Sequence, residues 1–312
     1  MNIIEVSSVS KVFGNKKISK VAVNDMNFSV KQGDIVGLIG VNGSGKSTLI
    51  KMMCGILHPD SGEVFIDGMD VWKNRKDIIK NIGIVFGQKS QLWYHLTPQE
   101  TFQFLGSVYD LDKAVVEERI DNLIKAFSIE EFADRAVRKL SLGEKMKCEI
   151  VASLIHNPKL LFLDEPTIGL DVVAKKNLLS VIADYNQQFH QTVILTTHDI
   201  ADVEKLCNRV VMIHNGGLLY DGTTQELLRR FESIVTIGIT LEEDLEALPL
   251  KALTQKKIDK YTHELVIDTK DISLETVFEE LQEYGLVNFN KKYLSLSEIA
   301  ERVFKVGTID VD

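Results

Sequence analysis

The most informative stretch of this chain is Gly40-Val41-Asn42-Gly43-Ser44-Gly45-Lys46-Ser47-Thr48. They fit the pattern G-x-x-x-x-G-K-[ST], in which glycines let the backbone turn tightly and point N–H groups at an anion. An apolar run before them, Ile35–Ile39, predicts a buried strand, and a helical pattern follows from about Lys46 to Ile56. This order predicts a phosphate-binding loop, with Lys46 as a cation for the outer phosphates and Ser47 as a hydroxyl ligand of Mg²⁺.

Two adjacent acids follow a second apolar run. Leu160–Leu163 predicts a strand that ends at Asp164 and Glu165. Ligands of open α/β sheets bind at the carboxyl ends of the strands, where both acids are expected to lie. Asp164 is suited to hold Mg²⁺, and Glu165 to orient or deprotonate an attacking water. Solvated loop acids are the alternative on these two residues alone, and the neighbouring phosphate loop makes it the poorer one.

Short apolar runs alternate with helical segments along the remaining chain. Further strands are predicted at Ile3–Val6, Met26–Val30, Glu63–Ile66, Ile82–Phe86, Val193–Thr196, Val210–Ile213 and Leu218–Tyr220. The spacing is helical from Thr97 to Asn157 and again over Ala174–Phe189. The alternation predicts an α/β fold with a mostly parallel sheet and a helical insertion over about residues 88–158. Weaker patterns after Arg230 predict a small α+β appendix, so the expected domains are residues 1–230 and 231–312.

Composition limits the classes of function. The chain has 312 residues, 45% of them hydrophobic and 26% charged, which is ordinary for a globular protein. Its net charge of −9 argues against nucleic acid as a partner, because phosphate backbones are bound by clustered Lys and Arg. Cys54, Cys148 and Cys207 are far apart and are expected to be reduced, buried thiols. Neither a secretory signal nor an apolar run of about 18 residues is found, so membrane work is expected only through a partner.

A third motif, Leu140-Ser141-Leu142-Gly143-Glu144, precedes the acidic pair. Ser141 and Glu144 form the pattern S-x-x-E, which locally predicts a capping box at a helix start. In its position between the phosphate loop and Asp164, and with His198 after the next strand, the motif resembles the signature of the ATP-binding cassette (ABC) transporter ATPases. The resemblance covers roughly residues 1–225 and implies a P-loop NTPase core of the ABC type with an added antiparallel β subdomain.

The signature motif departs from the family pattern L-S-G-G-Q at two positions. Leu142 replaces the first glycine and Glu144 replaces the glutamine. The resemblance implies that Ser141 and Gly143 contact the γ-phosphate bound by another subunit. A carboxylate at position 144 would weaken the nucleotide-bound dimer, unless helix capping holds it aside.

The resemblance assigns the other site residues one by one. Gln88 touches Mg²⁺ and relays the nucleotide state to a membrane partner, His198 contacts the γ-phosphate, and Asp171 in the D-loop communicates across the dimer. Phe13 stacks on adenine, with a place in the core as its alternative. The implied catalytic residues are Glu165, His198, Lys46 and Gln88, and Ser47, Gln88 and Asp164 bind the metal. The implied nucleotide-binding residues are Phe13, Gly40, Asn42, Gly43, Ser44, Gly45, Lys46, Ser47 and Thr48.

The implied function is an ATP-binding and ATP-hydrolysing transporter subunit that uses ATP and Mg²⁺. Such a subunit works as a homodimer or pseudodimer beneath a separate permease, on the cytoplasmic face of the membrane. The stretches Phe86–Trp93 and Asp164–Val173 resemble a bacterial exporter-type subgroup. The alternatives are an importer subunit, a non-transport ATPase acting on ribosomes or DNA, and a module that binds ATP without hydrolysis. The appendix has three open roles, namely regulation, dimerisation and a stabilising cap.

Overall fold

The computed structural model describes residues 1–14, 19–87, 89–248, 250 and 252–309. Strands and helices alternate through the first two thirds of the chain, as the hydrophobic pattern predicts. The strands are β1 (Asn2–Gly14), β2 (Ser19–Lys31), β3 (Ile35–Ile39), β4 (Ser61–Ile66), β5 (Met69–Asp70), β6 (Ile82–Phe86), β7 (Leu160–Asp164), β8 (Thr192–Thr197), β9 (Arg209–His214), β10 (Gly217–Thr223), β11 (Ile234–Leu241), β12 (Thr254–Lys257), β13 (Thr262–Asp268) and β14 (Leu286–Tyr293).

The helices begin at capping residues in most cases, and serine, threonine or aspartate provides the cap of seven of those described here. They are α1 (Lys46–Met53), α2 (Arg75–Ile79), α3 (Pro98–Val108), α4 (Lys113–Ala126), α5 (Leu142–Leu154), α6 (Val172–Phe189), α7 (Ile200–Leu206), α8 (Thr224–Arg230), α9 (Leu274–Gln282) and α10 (Leu296–Val306). Helix α1 ends three residues before the predicted Ile56, because Gly55 adopts a φ of +66° that a helix does not continue through.

The central sheet has the strand order β10-β9-β3-β8-β7-β6. Every neighbouring pair is parallel except β10 with β9, so the mostly parallel sheet is confirmed. All five residues of β3 and all six of β8 are buried, which fits strands covered on both faces. The phosphate loop leaves the carboxyl end of β3, and Asp164 ends β7 two strands away. Both motifs therefore reach the same edge of the sheet.

Two further structures surround this sheet in the order that the sequence predicts. An antiparallel sheet, β2-β1-β4-β5, packs its apolar side chains into a core shared with α1 and the central strands. Helices α3, α4 and α5 lie between β6 and β7 and form the helical insertion. The predicted α/β class, with an antiparallel β subdomain and a helical insertion, is confirmed.

The chain divides into two compact units, Met1–Thr223 and Thr224–Asp312. The division precedes the predicted boundary after residue 230, because α8 packs against α10 and so belongs to the second unit. The second unit contains a four-stranded antiparallel sheet of order β12-β13-β11-β14, whose apolar side chains pack with α9. Its strands β12 and β14 were not predicted, because most of their residues are exposed and show no apolar alternation.

Within the described ranges, no helix combines the length and the apolar character that crossing a bilayer requires.

Candidate active site

The phosphate loop follows a path that only glycine permits at two positions. Gly45 has a φ of +111°, and a Cβ atom on it would lie 2.2 Å from the carbonyl oxygen of Ala22. A Cβ atom on Gly40 would lie 2.4 Å from the carbonyl oxygen of Ile213 and 2.4 Å from Oγ of Ser44. The glycines therefore allow the loop to lie directly on neighbouring backbone, with its turn at the N-terminus of α1.

Lys46 is buried within this loop. Its side chain is 6% exposed, and its Nζ donates to the carbonyl oxygens of Gly40, at 2.6 Å, and Val41, at 3.3 Å. Burial lowers the pKa of Lys46, and the nearby carboxylates of Glu165 and Asp164 oppose that shift. The ammonium group is thus held at the loop by neutral carbonyls, beside two acids that favour its charge.

Ser44 gives a direct test of whether the loop fits a phosphate group. Its side chain is 2% exposed, and its Oγ has no hydrogen-bond partner among the described residues. A buried hydroxyl without a partner is destabilising by about 1–3 kcal/mol, unless a ligand or water supplies the bond. An orphaned hydroxyl next to a buried lysine and a helix N-terminus fits an anionic ligand with oxygen acceptors.

Asp164 lies opposite the start of α1. Its Oδ1 accepts a hydrogen bond of 2.7 Å from Oγ1 of Thr196 and one of 3.4 Å from Oγ of Ser47. An aspartate oxygen beside a serine hydroxyl is a donor set that suits Mg²⁺, a cation that prefers oxygen ligands. Ser47, Asp164 and Glu165 line a cleft of about 320 Å³ together with Ile56, Phe86 and Gly87, and with Lys51 and Lys89.

Thr196 is a site residue to which the sequence interpretation gave no role. Its Oγ1 donates to Asp164 and accepts a bond of 2.9 Å from the backbone N–H of Glu165. One hydroxyl at the end of β8 therefore fixes both acids at the end of β7. A polar residue closing an otherwise apolar strand was the signal available in the sequence.

Glu165 and His198 meet at the sheet edge. Nδ1 of His198 lies 3.5 Å from Oε2 of Glu165, and their side chains are 55% and 26% exposed. Glu165 has a φ of +54°, in the left-handed region that non-glycine residues rarely adopt. Such backbone conformations cluster at functional sites, and here the turn directs the carboxylate towards His198 at the solvent-accessible edge.

A second set of side chains without a role predicted from the sequence joins the start of α6 to the residues around His198. Nζ of Lys175 contacts Oδ2 of Asp199 and lies 2.9 Å from Oδ1 of the fully buried Asp202. Asp202 also accepts a bond of 2.8 Å from Oγ1 of Thr167, shortly after Glu165. The network braces the segments on both sides of the Glu165–His198 pair. Sequence spacing gave no signal for it, because its members come from three separate stretches.

The capping box predicted at the signature motif is present. Oγ of Ser141 accepts from the N–H of Glu144 at 3.3 Å, and Oε2 of Glu144 accepts from the N–H of Ser141 at 2.7 Å. Oε1 of Glu144 also lies 3.8 Å from Nη1 of Arg135. The carboxylate of Glu144 is therefore held against its own helix start and a neighbouring cation.

The signature motif also touches the D-loop. A Cβ atom on Gly169 would lie 3.1 Å from Cδ2 of Leu142, and one on Gly143 would lie 3.0 Å from Cβ of Ala174. Asp171 caps α6, since its side chain accepts from the N–H groups of Val173 and Ala174. Ser141, Gly143 and Asp171 thus belong to a junction of α5 with α6, and the described contacts place them with these helices and not in the cleft of Asp164.

The remaining predicted residues are placed as follows. Phe13 lies on β1 with 43% of its surface exposed, so the core position considered as its alternative is wrong. Asn42 is exposed and Thr48 is half-buried in the first turn of α1. Gly43 has a φ of +80° and open space where a Cβ atom would stand. Gln88 lies outside the described residues.

Comparison with known proteins relates this arrangement to one family. The family profile described as ABC transporter matches residues 23–168. The ABC transporter ATP-binding protein NatA of Bacillus subtilis is 32% identical over 224 residues, which are 72% of this chain and 91% of NatA. The probable sulfate/thiosulfate import ATP-binding protein CysA of Chlorella vulgaris is 33% identical over 72% of this chain and 92% of its own length.

A solved structure shows the same fold. It is a dimeric, post-hydrolysis state of an ATP-binding cassette bound to ADP and phosphate, with a TM-score of 0.63 and 25% identity over 70% of this chain and 98% of that one. The matched relatives and the matched structure are all ATP-binding subunits or cassettes. This chain belongs to the ABC transporter family, as an ATP-hydrolysing cassette subunit.

Proposed function

We propose that this chain hydrolyses Mg-ATP to power export through a separate membrane permease. The observation that carries the hydrolytic part is the meeting of Lys46, Asp164, Glu165 and His198 at one edge of the central sheet. Phosphoryl transfer depends mainly on positioning and on stabilising charge, and these four side chains supply both.

Each side chain has a defined part in this proposal. Lys46 leaves the carbonyl oxygens of Gly40 and Val41 to neutralise the outer phosphates. Ser44, with its unpartnered hydroxyl, donates to a phosphate oxygen. Glu165 accepts a proton from the attacking water, and His198, beside it, contacts the γ-phosphate.

Mg²⁺ would be held by Ser47 and Asp164, whose oxygens approach within 3.4 Å of each other. When bound, the ion neutralises charge on the β- and γ-phosphate oxygens. Gln88 is proposed as a further ligand from the family resemblance. Phe13 is exposed on β1, as a side chain that stacks on adenine must be.

The second half of the site comes from another cassette. Ser141 and Gly143 lie at the junction of α5 with α6, so we assign them to the nucleotide of a partner cassette. The related cassette of dimeric structure supports this arrangement. Two cassettes, identical or paralogous, then close on two nucleotides, and closure completes each site before hydrolysis.

Export is the proposed direction, and its support is the likeness of Phe86–Trp93 and Asp164–Val173 to exporter-type cassettes. CysA is named as an import protein, so an importer is the second candidate. In either case the permease would keep this chain on the cytoplasmic face of the membrane.

Affinity purification from detergent-solubilised native membranes tests the partner. A polytopic membrane protein among the captured chains, identified by mass spectrometry, supports the transporter function, and ribosomes or DNA-repair proteins without such a partner contradict it. Inverted vesicles that contain both subunits then test direction. ATP-driven accumulation of cargo inside them indicates export, whereas ATP-driven loss of preloaded cargo indicates import.

A further inference from the structure

One buried carboxylate, that of Glu149, lies on α5 and is not among the proposed catalytic groups. Glu149 is in the third turn of α5 and is 5% exposed. Burial raises the pKa of Glu149, while hydrogen bonds from Ser90 and Gln91 oppose that shift. A buried carboxylate costs free energy that an apolar side chain of similar size would not, so packing alone does not account for Glu149.

Glu149 binds the segment that follows β6. Its Oε1 accepts a hydrogen bond from Oγ of Ser90, and its Oε2 accepts one of 2.9 Å from the backbone N–H of Gln91. Oγ of Ser90 in turn accepts a bond of 3.1 Å from the N–H of Leu92. The carboxylate thus fastens residues 90–92, which are separated from it by more than fifty positions in sequence, to the middle of α5.

The same segment begins beside Asp164 and Glu165. Phe86 pairs with Asp164 in the register of β6 and β7, and the N–H of Gly87 donates to the carbonyl oxygen of Asp164 at 2.8 Å. A Cβ atom on Gly87 would lie only 2.6 Å from the carbonyl oxygen of Glu165. Gly87 therefore contacts the acids at the sheet edge, and residues 90–92, only a few positions further along the chain, contact Glu149.

Ser141 caps the start of α5. Eight positions of helix separate Ser141 from Glu149, a rise of about 12 Å. Because a helix moves largely as a rigid body, a displacement at Glu149 is carried to Ser141. Contacts thus join Gly87 to Asp164 and Glu165, and residues 90–92 to Glu149, and α5 joins Glu149 to Ser141.

We propose that Glu149 is a positioning residue that latches residues 90–92 to α5 and so couples the Asp164–Glu165 edge to Ser141. The inference rests on the proposed function, in which Ser141 completes the site of a second cassette. With the latch closed, Ser141 takes the position set by the strand edge. With the latch broken, each cassette binds its own nucleotide, but its Ser141 is poorly placed for the nucleotide of the partner.

Paired variants test the latch. Glu149→Gln keeps the shape and one acceptor for Gln91 but loses the charge, and Ser90→Ala removes the hydroxyl donor. Ser153→Ala is the matched control, because its buried Oγ donates to the carbonyl oxygen of Ile150 at 2.7 Å within α5 itself. Each variant is made in the full chain, and its unfolding by denaturant is measured first, so that only folded proteins are compared.

Sedimentation in a Glu165→Gln background measures ATP-dependent dimerisation, and calorimetry measures ATP affinity. Glu149→Gln and Ser90→Ala are expected to weaken dimerisation about tenfold, the effect of losing one hydrogen bond to a charged group, with ATP affinity changed less than about threefold. Together they are expected to weaken it no further than either alone, since they break one link. Ser153→Ala is expected to dimerise like the parent chain.

Hydrogen exchange without nucleotide provides a readout that is independent of hydrolysis. Both latch variants are expected to raise exchange in residues 89–92 and in the first turn of α5 together. Parental dimerisation in both variants, or additive losses in the double variant, would overturn the latch while leaving the proposed function standing. Failure of the Glu165→Gln parent chain to dimerise would overturn the latch, and failure of the wild-type chain to hydrolyse ATP would overturn the proposed function as well.

Discussion

The phosphate loop and the signature motif both stand at helix starts, but their polar groups are satisfied in opposite ways. At the start of α1, within the part of the chain that the structure describes, Ser44 has an unpartnered buried hydroxyl and the hydrogen bonds of Lys46 go to loop carbonyls. At the start of α5, Ser141 and Glu144 satisfy each other in a capping box. The start of α1 therefore has polar groups that can bind a ligand without a second chain. At the start of α5 the hydrogen bonds are already satisfied, and another molecule would have to displace them.

The largest expected effect is at the acids beside the phosphate loop. Glu165→Gln removes the proposed base and should lower the rate of ATP hydrolysis by about 10²–10⁴-fold, while ATP binding persists. Steady-state turnover and calorimetric titration with Mg-ATP measure the two quantities. Glu130→Gln, at an exposed position in the helical insertion, is the control. Parental hydrolysis rates in Glu165→Gln would rule out Glu165 as the base.

Lys46→Met should weaken the binding of ATP at the start of α1. Loss of a charge-assisted bond to phosphate, worth about 1.5–3 kcal/mol, should weaken ATP affinity by roughly 10- to 100-fold. Titration calorimetry checks this, with Lys76→Met on the exposed side of α2 as the control. Unchanged affinity would show that Lys46 stays on the loop carbonyls when nucleotide binds.

Glu144→Gln tests the charge of the signature motif at the start of α5. Glutamine also closes a capping box, and the lost pairing with Arg135 is partly exposed, so the free energy of unfolding should change by less than about 1 kcal/mol. Removing a carboxylate near a partner's triphosphate should strengthen ATP-dependent dimerisation about fivefold, as expected for about 1 kcal/mol of charge repulsion.

Glu144→Ala separates the two roles of this side chain. It lacks the charge and also the return bond of the capping box, so it should lose about 1 kcal/mol of stability. Sedimentation measures the dimerisation of both variants, and denaturant unfolding measures their stability. Dimerisation at the parental strength in Glu144→Gln would mean that capping already holds the carboxylate away from the partner's nucleotide.

The last comparison concerns the buried thiols, two of which belong to the helices α1 and α5. Cys54 follows α1 and Cys148 lies within α5, and both are buried. Burial, followed by the charges of Glu149 and Glu144, raises the pKa of Cys148 to about 12, and burial also raises those of Cys54 and Cys207. Thiolates are the reactive form, so the native chain at pH 8 should react with a disulfide reagent far more slowly than the unfolded chain.

The order of thiol labelling then compares the two helices directly. If Cys148 reacts before Cys54, α5 opens more readily than α1, as expected for an element whose function requires movement. Mass spectrometry of partially labelled protein gives that order. Rapid labelling of all three thiols in the native chain would contradict their burial.

Strands with continuous apolar sequence could be predicted closely from the sequence. The bounds of β3 and β6 are those predicted, because each is a short apolar run limited by turn residues. Strand β14 could not be predicted in this way, since six of its eight residues are exposed and its pairing with β11 supplies the stability. Helix α7 was missed because its seven residues are too few for a clear helical period.

The motifs of the sequence resemble those of one family, and the α/β class and most residues of the phosphate loop and the acidic pair could be predicted from the sequence alone. These follow from local rules, since backbone conformation and the direction of a strand depend on a few consecutive residues. The tertiary structure was needed to show that Thr196 joins Asp164 to Glu165, that Lys175 braces the His198 segment, and that Glu149 is bonded to Ser90 and Gln91. These contacts join distant segments, and no local pattern specifies which side chains the folded sheet and helices will bring together.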